Sequence, residues 1–146
     1  MKTTPFLIGL CLMLVLAPLA SAGLLTDNAL LAYGANTVIP KYRVYNGGMS
    51  GQSNALNTGS DVEWVEIASH PFQRQAIMIT LENPSGALDN VTFQLWNGTN
   101  WTSFARLGND SDVTYHGLDV AYESRSGRAV MAYTDNDQAT PLYRVF

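Results

Sequence analysis

The feature that most constrains this chain is an internal repeat of about 50 residues. Three copies of one pattern can be aligned along the chain: 29–33 with 40–45, 76–80 with 91–96, and 129–133 with 141–146. The shared positions keep their order, and the gaps between copies fall in segments rich in Gly, Asn and Asp. A fixed period of this length indicates a repeat architecture, in which one unit buries its apolar side only against the next.

Each unit is predicted to form four short β-strands, because apolar and β-branched residues alternate with polar ones and turn residues separate the runs. In the complete central unit the predicted strands are 63–69, 75–81, 91–96 and 101–107. Asn46-Gly47 and Asn97-Gly98 predict hairpin turns, which need the positive φ that Asn and Gly tolerate. No segment shows a sustained period of 3.6 residues, so the chain is predicted to be all-β.

Repeated antiparallel units of four strands are typical of β-propeller blades, and a compact two-sheet β-sandwich is the alternative. The predicted boundaries are a partial blade at 23–61, a full blade at 62–112 and a partial blade at 113–146. Propellers close with roughly four blades or more, which leaves three explanations open: a piece of a longer protein, several copies in one ring, or the sandwich. The sequence stops after Phe146, where earlier copies continue with Asn-Gly. We therefore expect an incomplete unit whose unpaired edge strand is open to pairing.

The first 22 residues have the pattern of a signal peptide. Lys2 supplies the positive start, 6–19 is an apolar run, and Ala20-Ser21-Ala22 is a small-residue cleavage site. The apolar run is shorter than the roughly 20 residues that span a bilayer. We expect a mature chain that is extracellular or at the cell surface, without membrane insertion and without Cys11, the only cysteine.

The charge of the predicted mature chain argues against one class of partner. Removing Lys2 leaves seven Lys and Arg against twelve Asp and Glu, a net charge of −5. Nucleic-acid binding depends on clustered Lys and Arg that neutralise phosphates. The sequence therefore predicts no nucleic-acid partner.

The residues that usually carry catalysis do not form a recognisable set. His70 and His116 lie at non-equivalent repeat positions, and a Gly-x-Ser-x-Gly nucleophile motif is absent from the sequence. Glu66 and Asp119 are repeat equivalents, and a residue that recurs in each unit is typical of a structural role. We predict that the chain is not an enzyme.

Two pairs of aspartates are candidates for a calcium site. Asp110 and Asp112 are predicted to share one loop, and Asp135 and Asp137 another, each pair spaced by two residues. Carboxylate oxygens are ligands for Ca²⁺, but neither run has the Gly and the distal Glu of a known calcium loop. No cofactor is predicted, and calcium at these loops is the alternative.

The aromatic residues suggest both packing and binding roles. Tyr45, Trp96 and Phe146 are repeat equivalents and are predicted to fill the space between adjacent sheets. Trp101 lacks an aromatic counterpart in the preceding copy, so it is predicted to be an exposed platform that stacks on a sugar ring. Asn100 and Trp96 would complete this ligand-binding site.

Three segments carry a resemblance to known proteins: 42–47 (YRVYNG), 95–101 (LWNGTNW) and 118–124 (LDVAYES). They resemble a family of uncharacterised bacterial and archaeal surface proteins with tandem propeller-like repeats, which implies surface location but no specific activity. The turn at 96–101 is also similar to that of fucose-binding propeller lectins. Those lectins use an Arg on the second strand and a Glu on the third, where this chain has 77–79 (IMI) and 93–95 (FQL).

These observations support three functional hypotheses. The first is a non-catalytic secreted or cell-surface repeat module for adhesion or surface structure, whose partner is a surface protein or glycan. The second is a lectin-like carbohydrate-binding module that uses Trp101. The third is a self-assembling extracellular fibre or ring subunit, completed by strand exchange with other copies of itself.

Overall fold

The computed structural model describes residues 28–34, 36–84, 89–111, 117–134 and 140–146. Within these ranges the chain forms ten β-strands and no helix, and every strand pairing is antiparallel. The prediction of an all-β, antiparallel fold is confirmed. The predicted signal peptide at 1–22 lies outside the described residues. The described residues include no helix that is long and apolar enough to cross a membrane.

The strands form three sheets, each an antiparallel meander of strands adjacent in sequence. The first sheet contains β1 (Asn28–Tyr33), β2 (Lys41–Asn46) and β3 (Ser53–Asn54). The middle sheet contains β4 (Asp61–Ser69), β5 (Ala76–Asn83), β6 (Asp89–Trp96) and β7 (Trp101–Ser111). The third sheet contains β8 (Leu118–Tyr122), β9 (Ala129–Tyr133) and β10 (Leu142–Val145).

The middle sheet corresponds to the predicted complete unit, with all four strands at the expected places. All four strands extend further than the sequence predicted, and β4 and β6 each begin two residues earlier, at Asp61 and Asp89. β5 continues beyond Leu81 to Asn83, and β7 continues to Ser111 instead of ending at Leu107. The described residues form three sheets rather than the two of the alternative sandwich.

The central part of the middle sheet, around β5, is covered on both faces. Successive side chains of a strand point to opposite faces, yet every residue of β5 from Ala76 to Glu82 is buried.

We call the face of a sheet that points to the preceding sheet its rear face, and the face that points to the following sheet its forward face. Ile77 and Ile79 lie on the forward face of the middle sheet, whereas Met78 and Thr80 lie on its rear face.

The forward face of the middle sheet packs against the rear face of the third sheet in one apolar core. From the middle sheet the core takes Ile77, Ile79, Leu81, Val91 and Leu107. From the third sheet it takes Leu118, Val120, Ala129, Met131 and Tyr133. Burial of apolar area therefore holds these two sheets together.

The rear face of the middle sheet contacts the first sheet through aromatic rings and hydrogen bonds. Tyr42 of β2 lies edge-on to Trp96 at the end of β6, with ring centroids 5.3 Å apart. The buried side-chain amide of Gln94 accepts a hydrogen bond from the Leu56 N–H at 2.8 Å and donates one to the Leu56 carbonyl at 3.0 Å. The segment after β3 is thereby fixed to the middle sheet.

Candidate functional site

The predicted sugar platform is buried rather than exposed. Trp101 is only 6% exposed, so the expectation of an open stacking surface is wrong. Trp96 and Trp101 are paired across the β6–β7 hairpin, with centroids 5.5 Å apart, and Tyr42 of the first sheet lies 6.0 Å from Trp101. The neighbouring sheet covers the ring that the sequence predicted to face solvent.

The other two residues of the predicted ligand site differ from Trp101 in exposure. Asn100 is exposed in the turn between β6 and β7, and Trp96 is half-buried. The Asn97 Oδ1 accepts hydrogen bonds from the N–H groups of Thr99 and Asn100, and Gly98 has the expected positive φ of 98°. The turn chemistry is as predicted, but the three residues do not form one exposed surface.

The calcium alternative is only partly within the described residues. Asp110 belongs to strand β7 and not to a loop, so that part of the expectation is wrong. Asp112, Asp135 and Asp137 lie outside the described residues. Within the ranges that the structure describes, no group of three or more His, Cys, Asp or Glu side chains is placed to hold a metal ion.

His70 connects the turn after β4 to the third sheet. Its Nδ1 accepts hydrogen bonds from the N–H groups of Phe72 at 3.0 Å and Gln73 at 3.1 Å. Its ring lies 5.1 Å from that of Tyr122 at the end of β8. These contacts stabilise a turn and a contact between sheets. His116 lies outside the described residues.

Glu66 and Asp119 occupy equivalent forward-face positions in successive sheets. Glu66 pairs with Ile79 of the middle sheet, and Asp119 pairs with Ala132 of the third. Asp119 is exposed, and its Oδ1 accepts a hydrogen bond from the Val120 N–H at 2.7 Å. The two carboxylates lie in different sheets, at the same place in the repeat.

A buried polar cluster, which the sequence analysis missed, lies on the rear face of the middle sheet. Glu82 is 0% exposed, and its Oε1 accepts hydrogen bonds from the hydroxyls of Thr92 at 2.5 Å and Thr80 at 3.0 Å. The two hydroxyls are themselves 2.7 Å apart. Among the described residues, the Glu82 Oε2 has no hydrogen-bond partner. An ionised carboxylate in this position would be costly because it is removed from water.

Burial raises the pKa of Glu82 from 4.5 to about 7, although the hydrogen bonds from Thr92 and Thr80 and the positive charge of Arg106 oppose this rise. A carboxyl with this pKa is largely protonated in mildly acidic solution and ionises near neutrality. We therefore expect the stability of the middle sheet to depend on the protonation of Glu82.

One signal in the sequence marks this cluster. Met78, Thr80 and Glu82 are alternate residues of β5 and lie on one face. Each is paired on β6 with a polar residue of the same face. These partners are Gln94, Thr92 and Asn90. The predicted strand ends at Leu81, so it leaves out Glu82 and with it the row of polar pairs.

Six of the ten exposed large apolar side chains among the described residues lie on the two outermost faces. The rear face of the first sheet, which we call the rear end face, carries Leu31, Tyr45 and Met49. The forward face of the third sheet, the forward end face, carries Val130, Tyr143 and Val145. Contiguous exposed apolar patches mark sites of interaction. These two end faces are the candidate functional sites of the described residues.

Comparison with known proteins gives no match to a family model, to a curated protein or to a solved structure.

Proposed function

We propose that this chain is a non-catalytic extracellular repeat module that acts in adhesion or surface structure and binds its partner through the end faces. The observation that carries the proposal is that three similar sheets stack in series and leave an apolar face uncovered at each end among the described residues. A stack of this kind offers flat, preformed surfaces for a macromolecular partner.

The composition of the end faces supports a protein-binding role. The rear end face combines Tyr45 and Met49 with Arg43, and the forward end face presents Tyr143. Tyr, Met and Arg are enriched at protein interfaces, where an aromatic ring supplies contact area and the guanidinium supplies directed hydrogen bonds.

The arrangement of the first strands supports a blade-like stack. Strand β8, the first strand of its unit, approaches β4, the first strand of the middle unit, with Cα atoms within 8 Å. In a propeller the blades pack face to face, with their first strands next to one another around the axis. We propose that each sheet is one propeller-like blade.

Surface location can be tested with intact producing cells. We expect a protease added outside the cells to digest the chain, and its mature N-terminus to be residue 23. The Ala22→Arg variant, in which the small-residue site is lost, should remain uncleaved. A chain that the protease reaches only after the cells are lysed would contradict the proposal.

The binding role can be tested with purified, labelled protein added to the same cells. We expect the wild-type chain to bind and the Leu31→Asp variant, which places a charge on the rear end face, to bind at least tenfold more weakly. The Phe72→Asp variant changes an exposed aromatic residue outside the end faces and serves as the control. Equal binding by all three proteins would exclude a role for the rear end face.

A further inference from the structure

We propose that the forward end face of one copy of this chain binds the rear end face of a second copy, in the same register that stacks the sheets within one chain. The partner is thus a second copy of the chain, joined head to tail. This inference rests on the proposed use of the end faces as binding surfaces and names what one of them binds.

The same aromatic contact already occurs twice inside the chain. Tyr42 of the first sheet lies 5.3 Å from Trp96 of the middle sheet, and Phe93 of the middle sheet lies 6.1 Å from Phe146, which follows β10 of the third. Tyr42 and Phe93 are repeat equivalents 51 residues apart, and Trp96 and Phe146 are equivalents 50 residues apart. Each contact joins the third strand of one unit to that of the next.

Among the described residues, the two end faces carry halves of this contact that have no partner. Tyr143 is the equivalent of Tyr42 and Phe93 and is 72% exposed on the forward end face. Tyr45 is the equivalent of Trp96 and Phe146 and is 38% exposed on the rear end face. Placing the Tyr45 of a second copy on Tyr143 repeats the contact a third time.

The aliphatic residues near these tyrosines also have repeat equivalents that lie between two sheets. Leu31 on the rear end face is the equivalent of Met78 and Met131, and both methionines are buried against the preceding sheet. Val130 on the forward end face is the equivalent of Ile77, which is buried against the third sheet. Leu31 and Val130 thus lie at positions that are fully buried in the middle sheet, which has a neighbouring sheet on each side.

Charge also favours the head-to-tail arrangement. The forward end face carries Asp119 and the rear end face carries Arg43. Within the chain, their equivalents Glu66 and Arg144 lie on the facing surfaces of the middle and third sheets. Joining the two end faces brings opposite charges to one interface, whereas joining two rear end faces would bring Arg43 against Arg43.

An interface between two different faces of the same chain is heterologous, so it continues from copy to copy. Such contacts close into a ring when the rotation between copies permits it and otherwise grow into a filament. Either assembly covers the exposed tyrosines of every copy except those at a free end.

The test is a mixing experiment with the Tyr45→Asp and Tyr143→Asp variants, followed by sedimentation velocity. The wild-type chain should assemble increasingly with concentration, and each variant alone should self-associate at least tenfold more weakly. An equimolar mixture should form a 1:1 dimer and nothing larger, because only the intact Tyr45 face of one variant and the intact Tyr143 face of the other can join. The Phe72→Asp variant should assemble as the wild type does.

A wild-type chain that stays monomeric throughout the concentration series would overturn the proposal, as would a mixture that fails to dimerise although both variants show native circular dichroism. If a variant does not fold, a second measurement applies. In a Cys11→Ser background, Tyr45→Cys and Tyr143→Cys proteins should be joined by a short bismaleimide only when mixed. Failure of either test leaves the surface-location and cell-binding measurements untouched, so the two proposals can fail separately.

Discussion

The two faces of the middle sheet are buried by different chemistry. On the forward face, Ile77, Ile79 and Leu81 enter a continuous apolar core with the third sheet. On the rear face, Glu82 and Gln94 are buried and held by hydrogen bonds, Glu82 to threonines of the same sheet and Gln94 to the segment after β3. Residues of one strand, alternating along β5, thus serve both kinds of interface.

One repeat geometry can therefore be stabilised in two ways. Apolar burial is non-directional and scales with area. Buried polar groups add little net stability when satisfied, but they cost free energy when a partner is lost, and they respond to pH when one of them titrates. We therefore expect the forward face of the middle sheet to depend on side-chain volume, and its rear face to depend on hydrogen bonding and protonation.

The largest effect is expected on the apolar side. Ile77→Ala should lower the free energy of unfolding by about 3.5 kcal/mol, because it removes a fully buried side chain and leaves a cavity. Val130→Ala, at the equivalent position on the uncovered forward end face, should change it by no more than about 0.5 kcal/mol. Urea denaturation at a concentration that keeps the chain monomeric measures both. Similar losses for the two variants would mean that Val130 is also buried by the chain.

The second prediction concerns pH. Burial raises the pKa of Glu82 from 4.5 to about 7, so the folded chain binds this proton more tightly than the unfolded chain. This contribution to stability is complete below about pH 4.5 and is lost as the pH rises through about 7, a change of at most about 3 kcal/mol.

Denaturation at pH 5 and pH 8 should therefore show a loss of stability that the Glu82→Gln variant lacks. Thr92→Val removes a hydrogen bond that lowers the pKa of Glu82, so it should move the transition to higher pH. An unchanged pH dependence of stability in Glu82→Gln would show that a group other than Glu82 causes the effect.

A smaller effect is expected where the first and middle sheets are joined by hydrogen bonds. Gln94→Ala should cost about 1.5 kcal/mol, because the backbone N–H and carbonyl of Leu56 both lose their partner. Gln73→Ala, an exposed glutamine in the turn after β4, is the matched control and should be close to neutral. Loss of stability with Gln73→Ala but not with Gln94→Ala would contradict the claim that the Gln94 hydrogen bonds stabilise the fold.

The smallest effect compares the two equivalent aromatic contacts. A double-mutant cycle on Tyr42 and Trp96 should give a coupling energy of about 1 kcal/mol. The equivalent cycle on Phe93 and Phe146 should give about 0.5 kcal/mol, because Phe146 is more than half exposed. A coupling energy of zero at either pair would show that the contact between those two rings does not stabilise the fold.

The sequence predicted the strands better than the environment of their side chains. The alternation of 64–67 and the Asn97-Gly98 turn are local signals, and the structure has β4 and the β6–β7 hairpin at those places. The burial of Trp101 depends on Tyr42, which is about 60 residues away and belongs to another sheet. No local pattern carries that information.

The polar cluster was missed for a related reason. A Glu after an apolar run reads locally as the end of a strand, and only the pairing of Glu82 with Asn90 shows that the strand continues. Tyr45 was predicted to lie between sheets, as its equivalents Trp96 and Phe146 do, but it lies on the rear end face and is partly exposed. A repeat gives the position of a residue within its unit, and the neighbouring unit determines whether that position is covered.

The central claim is that successive sheets stack through the same contact at equivalent positions. Nuclear Overhauser effects between selectively labelled aromatic rings measure this most directly. We predict cross-peaks between the rings of Tyr42 and Trp96 and also between those of Phe93 and Phe146, whose centroids are 5.3 and 6.1 Å apart. A folded protein that shows one of these cross-peaks and lacks the other would contradict the claim.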